Sequence, residues 1–314
     1  MDRRLQTLAA TQYGVFSAAD AARVGVSPDE LATLSRRREI VRVRRGAYVL
    51  SNAFAVAEPS ETYLLRVRAV LRTRPKQDRA SHQSALPLLG IGSYDVPSDV
   101  IAVETRQVTR RRVRAGLATH PWTGGDTWSR GEFRSVSPAV ACAQVALVAG
   151  FVAAVCAMDS AQHLGLCTRA ELHEAATTIG GPRTRTIERA ILASDPDAES
   201  VGESRTRIIL TDGGFSMRSQ EDLRDDDGFI GRVDFLVDDC VIVEFDGMVK
   251  YSGTTGQAAL AREKIREDRL RRRGYEVERV IWGELDDPVS LVLRIEHSRR
   301  VARERRSARE RVRT

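Results

Sequence analysis

Two apolar segments on either side of an Asp238-Asp239 pair place the strongest constraint on how this chain can fold. Alternate side chains of a strand point to opposite faces, so these segments predict a β-hairpin with one apolar face. That face consists of Val233, Phe235, Val237, Val241, Val243 and Phe245. The other face collects the carboxylates Asp234, Glu244 and Asp246 beside Leu236 and Ile242. A partly apolar face that holds acids favours a cleft over the solvated face that antiparallel strands often present.

The turn between the two strands sets the distance between these acids. If three residues centred on Asp239 form the turn, Asp234 lies directly opposite Glu244, with β-carbons about 5 Å apart. Carboxylates this close ionise together only when a cation neutralises them. Mg²⁺ accepts a few carboxylates with water and phosphate oxygens, and such an ion polarises a phosphodiester and activates water. Asp234 and Glu244 are therefore predicted to bind Mg²⁺, or Mn²⁺ in its place.

Other charged side chains are candidates to assist at this site. Glu203 lies on a helix predicted from about residue 199 to 210, and Asp246 follows Glu244 on the same strand face. The chain has only three lysines, and two of them, Lys250 and Lys264, flank the acidic motif. Either lysine would stabilise charge or orient water at a phosphodiester. Ordinary ion pairs on a solvated helix explain Lys264 and its neighbours equally well.

Residues 1–55 predict a short first helix, two further helices and a β-hairpin. Ser17 and Ser27 each precede a helical segment and have an acid three residues later, which is the spacing of a helix N-cap. Gly25 ends the second helix, and the third is expected to reach about Arg38. The β-rich run 40–50, broken at a glycine, predicts the hairpin. This order of elements is that of a winged helix-turn-helix.

Six arginines fall where such a domain meets the groove and the flanking phosphates of DNA. They are Arg36, Arg37 and Arg38 at the end of the third helix, and Arg42, Arg44 and Arg45 in the hairpin. A solvated basic face is the alternative, since 49 basic against 43 acidic residues permit a polyanionic partner without requiring one. Their concentration on recognition helix and wing favours double-stranded DNA.

A linker at about residues 51–60 leads into a middle domain, 61–195, with mixed helix and strand patterns and no catalytic constellation. Ser81, His82 and Ser84 are close in sequence. They have no partnered acid, so helix capping is the favoured role of the two serines.

A second boundary at 195–200 precedes a C-terminal domain, 199–290, in which a helix, three strands, a long charged helix and a further strand are predicted. The tail 298–314 holds eight arginines and is either a solvated helix end or a phosphate-binding arm. The chain as a whole is predicted to have an α/β fold class, as an α+β multidomain protein.

Several classes of protein and site are excluded. The four cysteines form no CxxC pair and the five histidines have no ligand spacing, so the sequence predicts neither a zinc site nor a disulfide framework and indicates a reducing, cytoplasmic compartment. The N-terminus lacks the apolar core of a signal peptide. The most apolar stretch, 139–158, is rich in alanine and contains Gln144 and Gly150. It predicts a buried helix or helix pair, capped by Ser137, and no membrane partner.

The C-terminal motifs resemble a known family. Glu203, Val233-Asp-Phe, Ile242-Val-Glu-Phe-Asp-Gly, Arg266-Glu-Asp-x-Leu-Arg and Gly274-Tyr-Glu-Val, spread over residues 199–285, look like the very-short-patch-repair-like endonuclease domains of the PD-(D/E)XK superfamily. The resemblance implies a restriction-endonuclease-like mixed sheet flanked by helices, with Asp234 and Glu244 as metal ligands and Glu203 as the helix acid. The usual Glu-x-Lys is Glu244-Phe-Asp246 here, so the expected lysine is missing. Lys250 stands where relatives often place a histidine.

Residues 1–195 resemble antitoxins of AbiEi type, winged-helix proteins that bind DNA and repress their own toxin-antitoxin operon. The run Ala80-Ser-His-Gln-Ser-Ala-Leu-Pro-Leu-Leu-Gly90 and the helical segment around Asp159 carry this likeness. It implies DNA binding without catalysis and a cognate toxin as a partner.

Two functions follow from the sequence. The favoured one is a metal-dependent endonuclease that hydrolyses DNA phosphodiester bonds, with Asp234 and Glu244 on the ion. The alternative is an antitoxin or transcriptional repressor of AbiEi type whose nuclease fold is inactive. Cleavage of DNA in the presence of a divalent metal separates the two.

Overall fold

The computed structural model describes residues 2–247 and 254–313. Contacts divide the backbone into two compact units, Met1–Leu192 and Ala193–Thr314. Helices and three mixed or antiparallel sheets are present in the described part of the chain, so the α+β multidomain fold class predicted from sequence is confirmed. The finer domain boundaries stay predictions.

The first fifty residues fold around one small sheet. Their elements are α1 Arg3–Thr11, β1 Val15–Ser17, α2 Ala18–Arg23, α3 Pro28–Arg36, β2 Ile40–Arg44 and β3 Ala47–Leu50. β3 pairs antiparallel with both β1 and β2. Leu5, Phe16, Leu31, Leu34 and Ile40 share one core, which joins the helices to the sheet. This order and pairing of elements matches the winged helix-turn-helix predicted from the sequence; α3 stands in the position of the recognition helix of such domains, and β2-β3 is called the wing below.

Local sequence explains where these helices begin and end. The hydroxyl of Ser17 and that of Ser27 each accept a hydrogen bond from the amide three residues later, and each acid at that position bonds back to the cap amide. The third helix ends at Arg36, two residues earlier than predicted, because Arg38 adopts a left-handed conformation with φ of 56°. The predicted linker 51–60 contains a short helix, α4 Ser51–Ala55.

The remainder of the first unit holds a six-stranded sheet and several helices. The elements are α5 Pro59–Leu71, β4 Arg79–Ala80, a 3₁₀ turn His82–Ser84, α6 Leu86–Leu89, β5 Ile101–Thr105, β6 Arg112–Arg114, β7 Leu117–Pro121, β8 Thr127–Arg130, β9 Phe133–Val136, α7 Pro138–Val148, α8 Gly150–His163, α9 Arg169–Ile179 and α10 Thr184–Ala193. The strand order is β6-β7-β5-β4-β9-β8, parallel at β7-β5 and β4-β9 and antiparallel elsewhere. α5 packs against β1 and β3, which ties the winged region to the rest of this unit.

The apolar stretch 139–158 forms the buried helix pair that the sequence predicts. Ser137 accepts a hydrogen bond from the amide of Val140 at the start of α7, and α8 begins at Gly150, whose φ is 84°. Cys142, Cys156 and their neighbours are fully buried. Among the described residues, no helix is both long and apolar enough to cross a membrane.

The second unit is built on a four-stranded sheet. Its elements are α11 Val201–Asp212, β10 Met217–Asp225, β11 Gly228–Val237, β12 Val241–Phe245, α12 Thr254–Arg272, β13 Glu276–Val280, a 3₁₀ turn Trp282–Asp286 and α13 Pro288–Arg313. The strand order follows the chain, β10-β11-β12-β13; the first three strands are antiparallel, and β13 runs parallel to β12.

Apolar side chains cover both faces of this sheet. One core joins Phe235, Val241 and Val243 to residues of α11 and α13. The other core joins Leu236 and Ile242 to Leu270 of α12. The face that carries the acids is therefore closed in part by α12, and the carboxylates lie at the end of a buried apolar layer.

The arginine-rich tail continues α13. Within it Arg299 forms an ion pair with Asp238, and Arg306 donates a hydrogen bond to the carbonyl of Asp239. These contacts fix the helix to the turn between β11 and β12. The sequence offered a solvated helix end or a phosphate-binding arm; residues 298–308 are helical and, through these contacts, pack in part on their own unit.

Candidate functional site

The six arginines predicted to bind DNA lie where α3 leads into the β2-β3 hairpin. Arg36 ends α3, Arg37 and Arg38 follow it, and β2 begins two residues later. Arg42 lies on β2, and the wing turn follows this strand. The recognition helix and the wing therefore present their basic residues on consecutive segments.

Exposure separates these arginines into two groups. Arg36, Arg37, Arg38, Arg42 and Arg45 are exposed, whereas Arg44 is partly buried. Arg36 donates a hydrogen bond to the hydroxyl of Thr33. Within the part of the chain that the structure describes, Arg37, Arg38, Arg42 and Arg45 form no ion pair. Their charge is available to an external anion.

The hairpin of the second unit has the predicted register. Phe235 pairs with Val243 and Val237 with Val241, so a three-residue turn joins the strands. The paired residues end at Phe235 and Val243, and Val233 packs with Leu236 and Ile242 instead of sharing the face of Phe235, as the sequence predicted. Strand alternation is therefore interrupted beside Asp234. The predicted three-residue turn is confirmed, and the direct opposition of Asp234 and Glu244 stays a prediction.

Asp234 lies close to several other carboxylates. Its Oδ2 accepts a hydrogen bond from the amide of Phe245 at 2.7 Å. Burial raises the pKa of Asp234 to about 7, opposed by this hydrogen bond and assisted by the nearby carboxylates of Glu203, Glu244 and Glu199. Burial and the neighbouring carboxylates therefore disfavour the ionised form of Asp234.

Glu203 is one of these carboxylates and lies in the first turn of α11. Its Oε1 accepts a hydrogen bond from the hydroxyl of Ser200, which is the N-cap of α11. Its Oε2 accepts from the amide of Glu199 and from the side-chain amide of Gln220, both at 3.0 Å. Both oxygens of this buried carboxylate therefore have protein donors.

Glu244 is held by an arginine. Arg266 of α12 donates from Nη2 to Oε1 of Glu244 at 2.6 Å and to Oε2 at 2.8 Å. The same guanidinium bonds to Glu263, which also accepts from Arg279. Glu244 and Glu263 raise the pKa of Arg266, although its burial acts in the opposite direction. Arg266 supplies to Glu244 the positive charge that the sequence assigned to a metal ion or a lysine.

Lys264, one of the two lysines predicted near the acids, does not take this role. Lys264 is exposed on α12, and no contact joins it to Asp234 or Glu244. Lys250 lies outside the described residues. Asp246 follows β12, where its amide donates a hydrogen bond to the carbonyl of Val280. Sequence reasoning missed Arg266 as the partner of Glu244, although its motif was recognised; only the packing of α12 identifies it.

These residues, as arranged, do not fit a divalent cation. Arg266 occupies both oxygens of Glu244, and hydrogen-bond donors occupy both oxygens of Glu203. No group of three metal-ligating side chains of the Asp, Glu, His or Cys types is assembled among the residues described. Binding of Mg²⁺ between Asp234 and Glu244 requires Arg266 to release Glu244 first.

A second polar cluster, which the sequence did not predict, lies in the sheet of the first unit. Arg79 and Glu104 are fully buried and form an ion pair at 2.7 Å. The guanidinium of Arg79 stacks on Trp122, and the Glu104 carboxylate also accepts from Gln144. The feature of the sequence that could have indicated this cluster is Glu104, an acid within the apolar strand β5. Every part of this cluster is saturated by internal partners, which is typical of a structural ion pair.

Ser84 is not a helix cap, contrary to the prediction from sequence. Its hydroxyl hydrogen-bonds to the hydroxyl of Tyr63 and accepts from the amide of Ala102. Ser81 hydrogen-bonds to Nδ1 of His82, whose ring lies 3.8 Å from that of His120. Burial lowers the pKa of both histidines, so both rings are neutral. These residues join α5, β5 and β7 by internal contacts.

Comparison with known proteins identifies one region of the chain. A family model for AbiEi antitoxins, described as transcriptional regulators, matches residues 3–51. These are the residues of the winged helix-turn-helix and the start of α4. No curated protein matches the chain. The N-terminal region is thus similar to an AbiEi transcriptional-regulator domain, and the endonuclease resemblance of residues 199–285 stays a prediction.

Proposed function

We propose that this chain is a DNA-binding transcriptional regulator of the AbiEi antitoxin type, which binds duplex DNA through its winged helix-turn-helix. The observation that carries the proposal is the set of exposed arginines at the end of α3 and on the wing, which form no ion pair with a carboxylate of residues 2–247 or 254–313. α3 would lie in the major groove, and the wing arginines would bind flanking phosphates. The family match over residues 3–51 supports this role.

The test is salt-dependent binding to duplex DNA by the full chain. Each arginine that neutralises a phosphate contributes about 0.9 to the slope of log affinity against log salt concentration. Replacing Arg42 and Arg45 with alanine is expected to lower the slope by about 2. Arg185→Ala, which removes an exposed arginine of α10, serves as the matched control. Wild-type protein that fails to bind duplex DNA at low salt would exclude the proposal.

The antitoxin role adds a protein partner. A toxin encoded beside this chain is the expected ligand, and co-purification of the two from a strain that expresses both at native level is the assay. Retention of the complex after the Arg42 and Arg45 substitutions would separate toxin binding from DNA binding. Absence of a stable complex removes the antitoxin role and leaves the regulator role standing.

A metal-dependent endonuclease is the second candidate. The observation in its favour is that Asp234 is partly buried beside other carboxylates: burial raises its pKa to about 7, and the charges of Glu203 and Glu244 act in the same direction. Mg²⁺ would relieve this crowding, provided that Arg266 releases Glu244. Asp234→Asn is expected to abolish any cleavage of duplex DNA in Mg²⁺ or Mn²⁺. If wild-type protein neither cuts DNA nor binds Mn²⁺ in a calorimetric titration, this candidate fails.

A further inference from the structure

We propose that the DNA backbone also binds in a groove beside the wing, so that the interface extends from the winged helix onto the rest of the first unit. This inference rests on the proposed DNA-binding function. The groove, called the wing-side groove below, has a volume of about 540 Å³ and lies between α2, the loop after α5 and the β8-β9 hairpin. Its basic lining residues are Arg23, Arg72, Arg74, Lys76 and Arg134.

Internal ion pairs use up the acids of this groove. The pairs are Asp20 with Arg72 and Arg23, Asp78 with Arg74, and Glu132 with Arg72. Lys76 and Arg134 are exposed and form no ion pair within the described ranges. The wing-side groove therefore keeps a surplus of positive charge that its own carboxylates do not neutralise. Surplus positive charge on the loop after α5 and on β9 is the kind of electrostatic surface that binds a polyanion.

The wing-side groove is continuous with the wing. A Cβ at Gly46, in the wing turn, would lie 4.0 Å from Cγ2 of Thr73 in the loop after α5. On the same side, Arg44 of the wing lies close to Arg74. Burial and the charge of Arg74 lower the pKa of Arg44. Arg44 has no ion-pair partner among the described residues, whereas Arg74 is paired with Asp78. A phosphate near both would stabilise this arrangement.

Duplex DNA matches this distribution of charge better than a small anion. B-form DNA carries about one charge for every 1.7 Å of its axis, so a backbone that meets the wing continues past it. The loop after α5 lies beside the wing, and this loop and Arg134 on β9 both line the wing-side groove. The phosphates adjacent to those held by the wing are therefore the expected ligands of Lys76 and Arg134. These contacts position the duplex without reading its sequence.

The test measures binding of the full chain to a fluorescein-labelled duplex of mixed sequence over a range of NaCl concentrations. Lys76→Ala and Arg134→Ala are each expected to lower the salt slope by about 1. Together they are expected to weaken binding roughly fifty-fold at about 0.1 M salt. Lys76→Glu repeats the test with reversed charge. The control Arg185→Ala lies in the same unit, outside both the wing and the wing-side groove. Circular dichroism verifies that each variant is folded.

The outcomes distinguish this inference from the proposed function. If wild-type protein binds duplex DNA and the Arg42 and Arg45 variants weaken it, while Lys76→Ala and Arg134→Ala leave affinity and slope unchanged, the inference is overturned and the winged-helix function stands. If wild-type protein binds no duplex DNA, both fail. If Lys76→Ala and Arg134→Ala weaken binding to a duplex RNA of the same sequence but leave DNA binding unchanged, the inference is also overturned.

Discussion

Replacing Asp234 with asparagine removes one negative charge from the carboxylate crowd and keeps the shape of the side chain. The amide oxygen of asparagine can still accept the hydrogen bond that Phe245 donates to Asp234. The substitution therefore isolates the cost of ionising Asp234 in a partly buried position beside Glu203 and Glu244. We expect Asp234→Asn to stabilise the second unit at neutral and higher pH.

The magnitude follows from the pKa of Asp234. Its value is 3.8 in an ordinary environment and about 7 in this fold. At about 1.4 kcal/mol for each tenfold change in the ionisation constant, this difference corresponds to about 4 kcal/mol. The side chain is partly exposed, and solvent screening reduces the expected gain in unfolding free energy to about 2–3 kcal/mol.

The sign depends on pH. Between the unfolded and folded pKa values, the folded chain holds a proton that the unfolded chain has lost, so rising pH destabilises the fold. The contribution of Asp234 is most favourable below the unfolded value, falls across this window and is constant above about pH 7. The difference between Asp234→Asn and wild type should therefore be absent near pH 4 and complete near pH 8.

Thermal and urea unfolding at both pH values measure this difference. Asp225→Asn is the matched control, because hydrogen bonding and charge from Arg269 lower the pKa of Asp225 and the same substitution should destabilise. Added Mg²⁺ should stabilise wild type more than Asp234→Asn only if the ion binds there. A wild-type protein more stable than Asp234→Asn at about pH 8 would refute the reasoning, since the carboxylate would then be a needed partner.

Two substitutions test the packing. A Cβ on Gly202 of α11 would overlap the ring of Phe245, so Gly202→Ala should lower the unfolding free energy by about 1–3 kcal/mol in thermal unfolding. Gly283→Ala, which meets no atom within 4 Å, is its control and should be neutral. Arg79→Ala strands the buried carboxylate of Glu104 and should cost about 3–5 kcal/mol in urea unfolding. A cost below about 1 kcal/mol would show that this pair behaves like an exposed one.

Much of the local structure could be read from the sequence. The helix caps at Ser17 and Ser27 form as their spacing predicts, and the strands β11 and β12 are joined by the predicted three-residue turn. Each of these features involves residues close in sequence, so local backbone geometry is sufficient to determine it. The end of α3 was placed two residues too late, since nothing in the arginine run indicates the left-handed conformation of Arg38.

Tertiary packing alone decided which charges meet. Arg266 reaches Glu244 because α12 crosses the sheet, and Arg44 approaches Arg74 because the wing lies against the loop after α5. The chain contains so many arginines that its composition does not indicate which guanidinium group pairs with a given carboxylate. An ion pair between distant residues needs both backbones positioned to within a few ångströms, and only the packed cores position them. The sequence by itself determined where the carboxylates and the basic wing would be, and the tertiary structure decided which of those charges are already neutralised and which remain for a ligand.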